Sequence, residues 1–159
     1  MHRGFTSLVL CTSTHAGCGE RTFTEFLGVP AGHNWTVAPH PLTSLRRLCL
    51  ALPETTERLS HGEPTWFIRD KKTFVNYADN HHDDRLAFWC AAPAGLQQSL
   101  VASDPERFFV PPYVGHRGWL GVYLDVPVDW DEIADIVEDA YSMVAPKRLR
   151  AELDLREAN

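Results

Sequence analysis

A chain of 159 residues has room for one domain with a real hydrophobic core and some spare sequence. With 44% hydrophobic and 23% charged residues it has the composition of an ordinary soluble globular protein. The formal charge of -6 argues against a strongly basic nucleic-acid or anionic-membrane binder. Five Trp and eight Phe point to a tightly packed small core or to a cleft lined with rings.

The amino-terminal stretch has one short apolar run, Ser7-Leu8-Val9-Leu10, too short for the core of a signal peptide. No segment approaches the length of a membrane span, so the expectation is a soluble, cytoplasmic protein with no membrane partner. Cys11, Cys18, Cys49 and Cys90 show no C-x-x-C pair and no zinc-finger histidines. Cys49 falls on the apolar face of a helix and Cys90 at the end of an apolar strand, which predicts buried, reduced thiols at both.

Residues 1–41 are rich in Thr, Gly, His and Pro and lack sustained periodicity, and read as a poorly ordered extension. From Thr43, a plausible N-cap, Leu45, Leu48, Cys49 and Leu52 recur at helical spacing until Pro53 stops the helix. Strand-like runs follow at Thr56–Ser60, Thr65–Arg69, Thr73–Ala78 and Arg85–Cys90, joined by short polar turns, the pattern of an antiparallel meander. Pro93 suits the first turn of a second helix with Leu96, Leu100 and Val101 on one face. Phe108–Val110 and Trp119–Val126 read as two more strands around a Pro- and Gly-rich loop, with Leu120, Val122 and Leu124 alternating inward.

The last strong element is a helix from about Asp131 to Val144. Asp129 and Glu132 form a capping box, and Trp130, Ile133, Ala134, Val137, Ala140, Tyr141 and Val144 make its apolar stripe. Pro146 interrupts it, and a charged tail of residues 151–159 closes the chain, a candidate separate helix. The order helix, meander, helix, strand pair, helix implies an α+β two-layer sandwich, with an antiparallel sheet carrying its helices on one face.

Several segments together resemble the MmcQ/YjbR family. They are Leu52-Pro53-Glu54, His61 to Phe67 (HGEPTWF), Lys72-Thr73-Phe74, Arg107 to Tyr113 (RFFVPPY), Gly118-Trp119, Tyr141-Ser142 and Ala145 to Leu149 (APKRL). The likeness covers about Thr43 to Arg150, so the domain is placed at residues 42–150. It implies a YjbR-like fold, similar to frataxin-like sandwiches and double-wing modules, and a DNA-binding role without a catalytic residue.

The residues support that role through Arg69, Lys71 and Lys72 on a hairpin turn and Lys147 and Arg148 at the end of the last helix, positioned to grip phosphates. Solvated surface charge is the plainer account of the same residues. A second candidate is a ligand surface for an aromatic drug or metabolite, built from His61, Trp66, Trp89, Tyr113, His116 and Trp119. Core packing is the competing account of the three tryptophans. His81-His82-Asp83-Asp84 offers metal-ligand side chains, but adjacent residues rarely aim at one point, so a solvated turn and no metal is expected. No nucleophile elbow, P-loop or dinucleotide fingerprint is present, and the chain reads as a non-enzymatic binding domain that needs no cofactor.

Overall fold

The computed structural model describes residues 39–79 and 84–157. Helix α1 (Pro41–Ala51) starts earlier than the apolar spacing predicts. His40, not Thr43, is its N-cap: the ring Nδ1 accepts from the Leu42 N–H at 3.3 Å, and Pro41 opens the helix where no N–H is needed. His40 and Pro41 therefore belong to the fold. The reading of residues 1–38 as a poorly ordered extension lies outside the described residues.

Strands β1 (Thr55–Ser60), β2 (Glu63–Ile68), β3 (Lys72–Asp79) and β4 (Leu86–Cys90) form the expected meander. Helix α2 (Leu96–Ser103) then leads to β5 (Phe108–Phe109) and β6 (Leu120–Tyr123). Among the described residues the sheet is antiparallel and six-stranded in the order β1-β2-β3-β4-β6-β5. Pro93 lies outside α2, which starts after Gly95 in a left-handed conformation at φ 87°. The cause is a turn in which the Leu96 N–H bonds the Pro93 carbonyl at 3.1 Å.

Helix α3 (Trp130–Val144) is N-capped by Asp129, whose carboxylate accepts from the Asp131 N–H at 2.9 Å. The capping box is left half made, because Glu132 turns away to pair with Arg107. Beyond it, α4 (Lys147–Glu157) is a full helix that extends through the segment read as a charged tail, with Leu149 and Leu153 buried in the core.

Helices α1 and α3 cover one face of the sheet. Leu45 and Cys49 of α1, and Ile133, Val137, Ala140 and Tyr141 of α3, meet Trp66, Val75, Phe88, Cys90, Leu120 and Val122 from the strands. Removing this much apolar surface from water is the main force holding the two layers. The bidentate pair of Arg46 with Glu57, both contacts at 2.7 Å, pins α1 to β1. Cys49 and Cys90 are buried free thiols, and desolvation pushes both far above the usual thiol range.

A β-bulge decides what reaches each face. Trp66 pairs with Val75 but Phe67 pairs with Thr73, which leaves Phe74 as the extra residue. Phe74 thereby joins Val75 on the helix side, where its ring meets Tyr141 edge-on at 5.8 Å. Thr73 is turned to the face opposite α1 and α3. Simple alternation would have exchanged the two.

Candidate functional site

On the face opposite α1 and α3 a cleft of about 520 Å³ opens. Its floor is a rung of the sheet, Thr65, Asn76 and Trp89, paired in register across β2, β3 and β4, with Thr73 beside it. One wall is the end of the β1–β2 hairpin, with Ser60, His61 and Glu63. The other is the loop between β5 and β6, with Tyr113, Val114, Arg117 and Trp119. A concave site of this size with ring-lined walls and a few polar groups suits a small organic molecule.

Both walls owe their shape to unusual backbone. His61 and Gly62 have φ of 56° and 90°, the two-residue hairpin geometry that requires left-handed residues at both positions. Tyr113 also lies in the left-handed region, at φ 65°. Gly115 packs so closely on Val110 that a Cβ there would lie 2.4 Å from the valine side chain. Buried Gln97 of α2 locks this loop: its amide donates to the Gly115 carbonyl at 2.9 Å and also to the Trp119 carbonyl. The residues at either end of the 3-10 turn Gly115–Arg117 are thus held by one side chain.

Four of the predicted ligand-surface residues come together here: His61, Trp89, Tyr113 and Trp119. Trp66 does not. It is fully buried on the helix side, because neighbours in a strand point to opposite faces and Thr65 takes the cleft. His116 is exposed and outside the lining; its neighbour Arg117 lines the cleft instead. The polar residues Ser60, Glu63, Thr65, Thr73, Asn76 and Arg117 escape a reading based on aromatic content. The alternation of polar residues along β2 and β3 is their signal, obscured in β3 by the bulge.

The basic residues converge in part. Arg69 lies in the β2–β3 turn, not in the strand, and both its Nε and Nη2 donate to Glu54, the latter at 3.2 Å. Arg148 of α4 reaches the same carboxylate. The hydrogen bond from Arg69, together with the charges of both arginines, holds the Glu54 carboxyl below its ordinary range. Lys71, Lys72 and Lys147 stand exposed around this pair. Glu54 therefore gathers the hairpin and the helix end into one patch while offsetting part of its charge.

Of the proposed metal loop, His81, His82 and Asp83 lie outside the described residues. Asp84 is exposed, with φ 53°. Among the described residues no group of three or more His, Cys, Asp or Glu is disposed to hold a metal ion. Nor is any helix among them long and apolar enough to cross a membrane.

No curated protein matches the chain. Among solved structures, it is similar to the Deinococcus radiodurans protein DR2400, a DUF419 protein. The TM-score is 0.57, over 71% of this chain and 87% of that one. At 18% identity the likeness establishes a shared fold. A family model for YjbR matches residues 50–143, which span β1 to α3 and both walls of the cleft. That match takes in more than half of the 159 residues, and the chain belongs to the YjbR family.

Proposed function

We propose that the chain is a non-catalytic binding protein whose sheet face opposite α1 and α3 takes a planar aromatic molecule of drug or metabolite size. The observation that carries this reading is the side-by-side placement of Trp89, Trp119 and Tyr113 around a cleft of about 520 Å³. Trp89 is packed into the floor, while Tyr113 stands 74% exposed at the rim. A rim ring in that position gains apolar contact when a flat ligand enters, and its hydroxyl stays wet.

Thermal shift and tryptophan fluorescence against a panel of planar aromatic compounds test this directly. A ligand of the folded state must raise the melting temperature with concentration, and Trp119→Ala should abolish that rise. The reading fails if no compound shifts the protein, or if the shifts persist in Trp119→Ala.

A second reading, DNA binding, is supported by the Glu54 junction, which draws Arg69 and Arg148 together with Lys71, Lys72 and Lys147 nearby. Phosphate contacts strengthen as salt falls, so duplex and single-stranded DNA should be tested by fluorescence anisotropy at low and moderate salt. Binding at low salt that is lost in Lys71→Glu/Lys72→Glu supports it. Absence of binding at low salt removes it.

A further inference from the structure

Among the described residues, Arg117 is the charged group of the cleft lining that holds no acid. Its backbone N–H bonds the Val114 carbonyl at 2.9 Å, but among the described residues its guanidinium meets no carboxylate. By contrast Arg46, Arg69, Arg85, Arg107, Arg148 and Arg156 each hold an acid. Within the cleft, Glu63 is already engaged, and the His61 Nδ1 lies 3.2 Å from the Ser60 hydroxyl. Among the described residues, the charge left without an opposite partner in the cleft lining is therefore positive.

The floor adds donors of its own. Thr65 has one hydroxyl proton and two acceptors in reach, the Glu63 carbonyl at 3.3 Å and, closer, the Asn76 Oδ1. Its donation to Asn76 holds that amide by its oxygen. The Asn76 Nδ2 then has two N–H groups to offer to the cleft, and no protein acceptor takes them among the described residues. A guanidinium and an amide donor in a lining that includes Trp89 and Trp119 call for a flat molecule that brings acceptors and negative charge.

We infer that the ligand class of this cleft is an aromatic carboxylate, with its ring against Trp89 and Trp119 and its carboxylate on Arg117. The inference rests on the proposed reading of the cleft as a ligand site. A guanidinium matches a carboxylate with two parallel N–H donors, which a neutral amide or an ammonium cannot reproduce.

Three probes of nearly equal size separate the possibilities: naphthalene carboxylate, naphthalene carboxamide and naphthylmethylammonium. Each is titrated into the full chain and followed by tryptophan fluorescence. The carboxylate should bind about tenfold more tightly than the carboxamide, as one added charge-assisted pair near solvent implies. Arg117→Gln should close most of that gap, weakening the carboxylate far more than the carboxamide. Arg117 is exposed, so an unaltered melting temperature will show that the variant folds. Equal binding of carboxylate and carboxamide, or a gap that survives Arg117→Gln undiminished, overturns the inference while leaving the cleft reading intact. A preference for the ammonium also overturns it. If none of the probes binds, the inference fails; if the wider aromatic panel also yields no shift, the cleft reading falls with it.

Discussion

Tyr141 shows how one polar atom can secure a packed interface. Its hydroxyl donates to the Pro53 carbonyl at 2.9 Å, joining α3 to the end of α1, and both partners are buried. Tyr141→Phe keeps the ring against Phe74 but leaves that carbonyl without its donor, a loss of about 1–2 kcal/mol. Urea unfolding should show it as a lower midpoint at unchanged slope. The helical stripe reveals Tyr141 as a core residue, but its hydroxyl partner lies 88 positions away and no local pattern points to it. Tyr77 makes a different prediction. Burial, reinforced by the negative charges of Asp79 and Glu63, pushes its hydroxyl from 10.0 up to about 12. The folded state thus holds this proton more tightly than the unfolded chain does. The resulting stability is fully present below pH 10 and is lost as pH rises through about 12. Tyr141 moves the same way through burial. Wild type should therefore lose denaturant resistance over that window more steeply than Tyr77→Phe does, with absorbance titration of the phenolates as the check.

Among the elements, the loop between β5 and β6 depends most on a single outside residue. Gln97 sits on α2 where an apolar side chain would be expected, and its amide reaches carbonyls at both ends of the 3-10 turn. Gln97→Leu fills similar space but strips both carbonyls of their donor. It should destabilise the fold by about 1–3 kcal/mol and speed hydrogen exchange in residues 113–119. The rest of the sheet should keep its protection, since its ladders do not pass through Gln97. In the sequence Gln97 stands at helical spacing from Leu100 and Val101, but no local pattern shows which distant carbonyls its amide meets, so its structural role was illegible. The strands were legible because β4 and β6 carry continuous apolar runs and the short polar turns between runs mark hairpins. Which tryptophan would face the cleft was not. That choice depends on strand register and on the bulge at Phe74, and both are set by partners on other strands. Arg117 and His116 posed the same difficulty on a smaller scale, since neighbouring residues of a tight turn point in different directions and no period distinguishes them.

At the scale of the molecule, the fold extends past the family match. That match ends at residue 143, whereas α4 begins at Lys147 and sends Leu149 and Leu153 into the core shared by α1, α3 and the sheet. Its composition disguises this, because charged residues outnumber apolar ones and the apolar pair lies one turn apart amid Lys, Arg, Glu and Asp. A helix that buries two leucines and presents Arg148 to Glu54 and Arg156 to the Ala51 carbonyl at 3.4 Å acts as a strap across the helical layer. Two substitutions of identical chemistry decide whether it is one. Leu149 is fully buried, so Leu149→Ala leaves a cavity and should cost about 2–5 kcal/mol, a large fraction of the total stability of a domain this size. Leu155, on the same helix but 67% exposed, should tolerate the same change within about 0.5 kcal/mol. Chemical denaturation of the two variants beside wild type is the measurement. Equal and small effects would mean that α4 is an appendage, whereas the predicted inequality places it in the cooperative unit that holds the helical layer against the sheet.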